Sequence, residues 1–199
     1  MAISEQLTLQ EHSSCLFATL MKYSADKAAP ATASKARSAK FWPTLGFAAL
    51  AGSRAVSAPA FVSHFLSQQA ASPSLAGSSL RFLAKPGVAK ALKFLAAGEV
   101  VGDKLPNTAN RIVPQQLSTR AASGALVGAA WYKAKGGSAL SGALIGGLGA
   151  VASTFLTYYL RKGISEKTHT PTSLVGAGED ALVLAGGSAL LKSQQQAKH

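Results

Sequence analysis

From Ala139 to Leu160 the chain runs 22 residues without a charged side chain, and Arg161 and Lys162 follow at once. At about 1.5 Å of rise per residue, such a helix covers a hydrocarbon layer of roughly 30 Å. The stretch is rich in Gly, Ala and Ser, which suits close helix packing in lipid. Upstream, residues 120–133 form a second apolar run, separated from the first by the turn Ala134-Lys135-Gly136-Gly137-Ser138. The pattern predicts an antiparallel helical hairpin over 120–162. Within it the hexamer Ser123–Gly128 recurs, with one change, as Ser141–Gly146. Each copy holds Gly-xxx-Gly, and Gly124, Gly128, Gly142 and Gly146 are the expected points of close approach between opposite limbs.

The remaining apolar segments are less regular. Residues 43–66 carry Arg54 near the middle and Pro59 five positions later. Proline inside a helix removes a backbone hydrogen bond, so this segment is expected to break into two half-helices. Residues 67–79 read as an uncharged loop. In 80–103 the cations Arg81, Lys85, Lys90 and Lys93 oppose a lipid-facing span, and Lys85-Pro86-Gly87 is a natural break. A short interfacial helix is expected before it and a helix over about 88–103 after it, with lysines reaching toward headgroups. Residues 104–119 read as a loop, 163–173 as a polar stretch, and 174–191 as the last apolar segment. The fold class predicted is all-α: a polytopic membrane bundle of about five segments over 43–192. Residues 1–42 are expected to form a polar, mobile segment and 193–199 a tail.

Composition sharpens this picture. Hydrophobic residues make up 48% of the chain and charged residues only 14%, against about a quarter in soluble domains. The net charge is +12, but Lys and Arg flank apolar runs instead of clustering with aromatics. That pattern fits cations beside anionic lipid and argues against nucleic acid as a partner. Counting loop cations places the N-terminus on the cytoplasmic side. Trp42, Trp131, Tyr132, Tyr158 and Tyr159 fall near predicted span ends and read as interfacial anchors. The single cysteine, Cys15, excludes an intrachain disulfide, and no two of the four histidines stand at i, i+4. The glycines at 146, 147 and 149 lack the Gly-Lys-Ser/Thr of a phosphate loop. No cofactor and no metal are expected. No nucleophile–base pair accompanies the acids, so no enzyme is expected either.

The chemistry lies in the few charges within apolar surroundings. Glu99 and Asp103 stand at i, i+4 and share a helix face; Glu179 and Asp180 lie inside the last apolar segment. An ionised side chain at the bilayer centre costs roughly 2.5–3.5 kcal/mol on insertion scales, so Arg54, Glu179 and Asp180 are expected to find partners. Arg54 with one of the carboxylates is the economical pair. Such charges either fix helix register as ion pairs, lie at the interface, or line a path for a proton or solute.

Gly52-Ser53-Arg54-Ala55 with Ala58-Pro59-Ala60, then Glu99-Val100-Val101-Gly102-Asp103-Lys104-Leu105-Pro106, Arg120 with Gly124, and Glu179-Asp180 together resemble an uncharacterised bacterial membrane family, domain of unknown function 4126. The resemblance covers about 44–192. It implies an integral inner-membrane protein of several helices and no activity. It also implies that Arg54, Glu99, Asp103, Lys104, Arg120, Glu179 and Asp180 form one polar site. The function expected first is a small transporter or channel for a proton, ion or small solute, the acids binding the cation and Arg54 acting as counter-charge. The alternative is a structural subunit of a larger membrane complex. A wet cavity reaching Glu99 favours transport, and a dry ion-paired core favours the scaffold. A soluble helical protein that hides its hairpin in an oligomer is a third reading. The lipid bilayer and a homo-oligomer or membrane-complex partner are the expected associates.

Overall fold

The computed structural model describes residues 38–69, 72–102, 113–168 and 172–196. Every regular element among them is helical: α1 (38–53), α2 (Ser57–Ser67), α3 (Pro73–Ala76), a 3-10 turn over Ser79–Ala84, α4 (Pro86–Gly102), α5 (Pro114–Ala134), α6 (Ala139–Thr168) and α7 (Thr172–Gln196). The all-α expectation holds. Of the five expected membrane segments, one among the described residues, the helix over Ala139–Ile164 with a mean hydropathy of 1.7, is long and apolar enough to cross a membrane. The other candidate segments are short, interrupted or diluted by polar side chains. Residues 163–168, expected in a polar stretch, continue α6, and the uncharged loop at 67–79 contains α3.

Local chemistry sets the helix ends. Lys85 is extended (φ −79°, ψ 131°) because Pro86 crowds the residue before it, which separates the 3-10 turn from α4. Val113 is extended for the same reason, and Pro114 then opens α5, where its missing N–H leaves no bond unmade. At the other end of α5, Gly136 takes φ +69°. Gly136 N–H donates to Lys133 O (3.1 Å) and Gly137 N–H to Tyr132 O (2.7 Å), a paired C-terminal cap that turns the chain into α6.

The α5–α6 hairpin forms around the repeated hexamer. A Cβ on Gly128 would overlap the carbonyl oxygen of Gly142, and one on Gly142 the carbonyl oxygen of Gly128. Gly124 and Gly146 stand in the same reciprocal relation. The two helices therefore meet backbone to backbone, which glycine alone permits.

The rest packs onto this hairpin. Phe47 of α1 and Phe65 of α2 close on Trp131 of α5, with ring centroids 5.0 and 5.3 Å from it. Val62, Val127 and Ala150 are buried beside them. Trp131 is fully buried and Tyr132 nearly so, which corrects their reading as interfacial anchors, whereas Trp42 and Tyr159 are about two-thirds exposed. Trp131 faces inward because its helix face also carries Val127 and Gly128. Helix α1 seats on α6 through Ala48 against Gly149 and Gly52 against Ala150, and on α7 through Gly46 against Leu190. Helix α2 meets α7 where Phe61 lies over Gly187, and Ser63 Oγ donates to Leu83 O (2.6 Å) in the 3-10 turn.

Candidate functional site

The segment 43–66 is broken, as its proline and arginine predict, but the break lies at 54–56, ahead of Pro59. Proline needs no break at its own position. It stands third in α2, within the turn whose N–H groups have no intrahelical acceptor. Ala60 N–H makes the first bond, to Val56 O (3.1 Å). The interruption leaves carbonyls bare at the end of α1 and N–H groups bare at the start of α2, in the interior of the fold.

Side chains from three other helices satisfy them. The Glu99 carboxylate, from α4, accepts from Ala55 N–H through Oε1 (2.7 Å) and from Val56 N–H through Oε2 (2.9 Å). It caps α2 from 43 residues away in sequence. Arg120, from α5, donates through one Nη to Gly52 O (2.5 Å) and Ser53 O (2.6 Å). Ser123, one turn on, donates to Ala55 O, and Thr154 of α6 donates to Gly52 O (3.1 Å). The signs of charge agree with the helix dipoles: arginine faces the carboxyl end of α1 and a carboxylate faces the amino end of α2.

Arg54 lies within the break and is 2% exposed. It pairs with Asp180 of α7 and donates through its other Nη to Glu99 O (3.3 Å). The expected pairing of Arg54 with a late carboxylate is thus present. Of the seven residues expected in one polar site, Arg54, Glu99, Arg120 and Asp180 come together. Glu179 turns aside and accepts from Arg161 Nη2 of α6 (2.7 Å). Arg161, read from sequence only as a flanking cation, is the charged residue that reading missed, and Ser123 and Thr154 were missed with it. The usable signal for Arg161 was its place on the helix preceding α7, 18 residues before Glu179. Asp103 and Lys104 lie outside the described residues. Gly124, Gly128, Gly142 and Gly146 all lie at the hairpin contact.

Beside the break, α2, α4 and α7 enclose a cleft of about 650 Å³. Its inner end is formed by Ser57, Val100 and Leu184 and its outer end by His64, Lys93 and Lys192, with Phe61 and Ala97 between. Glu99 does not line it, although Val100 does. Among the described residues no group of three or more His, Cys, Asp or Glu side chains could hold a metal ion.

The family described as Domain of unknown function (DUF4126) matches residues 43–192, and the chain belongs to it. No curated protein and no solved structure matches the chain. Of the residues that carry the family resemblance, Gly52 to Ala55, Glu99, Arg120 and Asp180 assemble the broken helix, whereas Gly124 lies at the hairpin contact and Glu179 pairs with Arg161.

Proposed function

We propose that this chain is a small integral membrane protein of structural type, in which the charged cluster braces a broken helix and the outer faces bind lipid or partner helices. One observation carries the structural reading: each described carboxylate of the cluster is engaged. Glu99 holds two backbone N–H groups, Asp180 holds Arg54, and Glu179 holds Arg161. None of the three lines the cleft. Carboxylates engaged in this way stabilise one arrangement of helices, as the ion-paired alternative requires.

The membrane reading rests on α6. Only 22% of its most apolar stretch is buried, whereas a core helix of a soluble protein is mostly covered. Leu140, Leu144, Leu148, Leu156 and Leu160 are all more than half exposed, a stripe at four-residue spacing that winds about half a turn around the helix. Its partner α5, at 21 residues, reaches about 31 Å. In this reading the hairpin crosses the inner membrane, the broken α1–α2 segment enters it beside the hairpin, and the N-terminus is cytoplasmic. Charged helix ends are tolerated at depth because each is covered by protein.

The two opposed half-helices favour a second reading, a proton or solute conduit, since half-helix ends are also a transporter device. Two measurements separate these readings. Membranes washed with alkaline carbonate retain an integral protein and release a soluble one. Proteoliposomes then report decay of an imposed pH gradient for the intact protein and for Glu99→Gln. The structural reading expects both to match empty liposomes. Faster decay that disappears in Glu99→Gln establishes the conduit and overturns the brace as the chain's main role.

A further inference from the structure

The cleft between α2, α4 and α7 has a chemistry that the brace does not use. Its walls are apolar: Ala60 and Phe61 from α2, Ala97 and Val100 from α4, Leu184 and Leu191 from α7. Helix pairings set its direction. Ser57 and Val100 stand at one end and His64 and Lys93 at the other, so α2 and α4 run antiparallel along it. Seven residues of helix separate the ends on each wall, a slot of roughly 10 Å at 1.5 Å per residue.

The ionisable groups are segregated. Lys93, Lys192 and His64 gather at the outer end. The described carboxylates Glu99, Glu179 and Asp180 are all engaged at or near the break, and none lines the cleft. Both lysines are exposed, and Lys90 stands one turn before Lys93 on α4, exposed as well. Helices α4 and α7 also carry exposed apolar side chains beside the cleft lining, with Phe94 79% and Leu95 60% exposed on α4 and Leu182 74% on α7. A water-soluble ligand does not match rims of this kind. A molecule lying against the same apolar surround does, with a hydrocarbon tail for the slot and an anion for its cationic mouth.

From this juxtaposition we propose that the α2–α4–α7 cleft is a binding site for an anionic glycerophospholipid, one acyl chain in the slot and the phosphate between Lys93 and Lys192. The proposal rests on the membrane reading of the chain and is independent of whether the cluster braces or conducts. Cationic side chains near a membrane surface attract anionic headgroups, while the apolar slot alone takes any acyl chain. Selectivity for charge therefore resides in the lysines and affinity for the tail in the walls.

The test uses the full chain in a neutral detergent, titrated with phosphatidylglycerol and with phosphatidylcholine of the same acyl chains and followed by native mass spectrometry. Wild type is expected to bind phosphatidylglycerol preferentially. Lys93→Gln with Lys192→Gln should reduce that preference by roughly 30-fold, from two headgroup contacts at the membrane surface. Ala97→Trp, which fills the slot, should abolish binding of both lipids. Circular dichroism and the unfolding midpoint show whether each variant is folded, and should Ala97→Trp misfold, Ala97→Leu replaces it. Equal binding of the two lipids by wild type, or an undiminished preference in the double lysine variant, overturns the proposal. A dimer that forms as lipid is released, and is lost in Ala97→Trp, assigns the cleft to a second copy and overturns it too. Recovery of the protein in the carbonate supernatant would refute the membrane reading separately.

Discussion

Removal of the Glu99 carboxylate is the sharpest perturbation of the brace. In Glu99→Ala, the N–H groups of Ala55 and Val56 lose their acceptor together, at the start of a helix whose first turn already lacks the N–H of Pro59. A buried donor left without a partner costs about 1–3 kcal/mol. Ala55 is buried and Val56 half-buried, so the pair together is worth about 2–4 kcal/mol. Glu99→Gln keeps one acceptor oxygen but turns an amide NH2 toward the second N–H, for a loss of about 1–3 kcal/mol. Glu99→Asp retains the charge one methylene short and should fall between wild type and Glu99→Ala. Thermal unfolding in detergent reads the total, at about 2–4 °C per kcal/mol for a chain of this size. Hydrogen exchange reads the location: protection of the Ala55 and Val56 amides should fall by tenfold or more, at about 1.4 kcal/mol per decade, while the α5–α6 hairpin keeps its own. An unfolding midpoint within about 1 °C of wild type, together with unchanged protection at those two amides, would refute the argument that Glu99 caps α2.

Three further outcomes are expected. Gly128→Ala places a methyl against the Gly142 carbonyl and should lower stability by about 1–3 kcal/mol, whereas Gly163→Ala, with nothing within 4 Å of the added carbon, should raise it by up to about 1 kcal/mol; unfolding midpoints of the two variants compare them directly. Arg161→Gln removes a pair whose side chains are 22% and 14% exposed and should cost no more than about 1 kcal/mol, in contrast to Asp180→Asn, which strips a carboxylate from the buried Arg54 and should cost about 3–5 kcal/mol. Gly136→Ala strains a backbone at φ +69° and should cost about 1 kcal/mol, read as earlier loss of helix signal on heating.

The parts of the fold that were legible in the sequence are those where chemistry is scarce. An arginine in an apolar segment has few possible partners, so Arg54 could be matched to the late acids, and Asp180 proved to be the match. The hairpin was legible because its repeat puts glycine at a four-residue spacing on both limbs, and that spacing survives folding as the contact itself. Glu99 was legible as important but not in its role. Its spacing from Asp103 suggested a pair of acids, while its partners are backbone N–H groups, which every residue carries and no side-chain pattern marks. Trp131 was misread because an aromatic near a helix end is equally suited to a membrane surface and to a core, and only the arrival of Phe47 and Phe65 decides. Of the expected spans, one among the described residues, Ala139–Ile164, has the length and hydropathy of a crossing helix, because apolar composition does not distinguish a helix that faces lipid from one covered by its neighbours.

The broken helix also sets an order on biosynthesis. The groups that complete it arrive from α4, α5, α6 and α7, and Asp180 follows Arg54 by 126 residues. At a usual synthesis rate of about 5–20 residues per second, the ribosome needs on the order of ten seconds to travel that distance. The second half-helix waits for Glu99 over the first 45 residues of that interval, and the arginine waits for its counter-ion throughout. The first-made of the described elements is therefore the last to be finished. A ribosome stalled before codon 180 holds a nascent chain whose hairpin can zip but whose first segment cannot close.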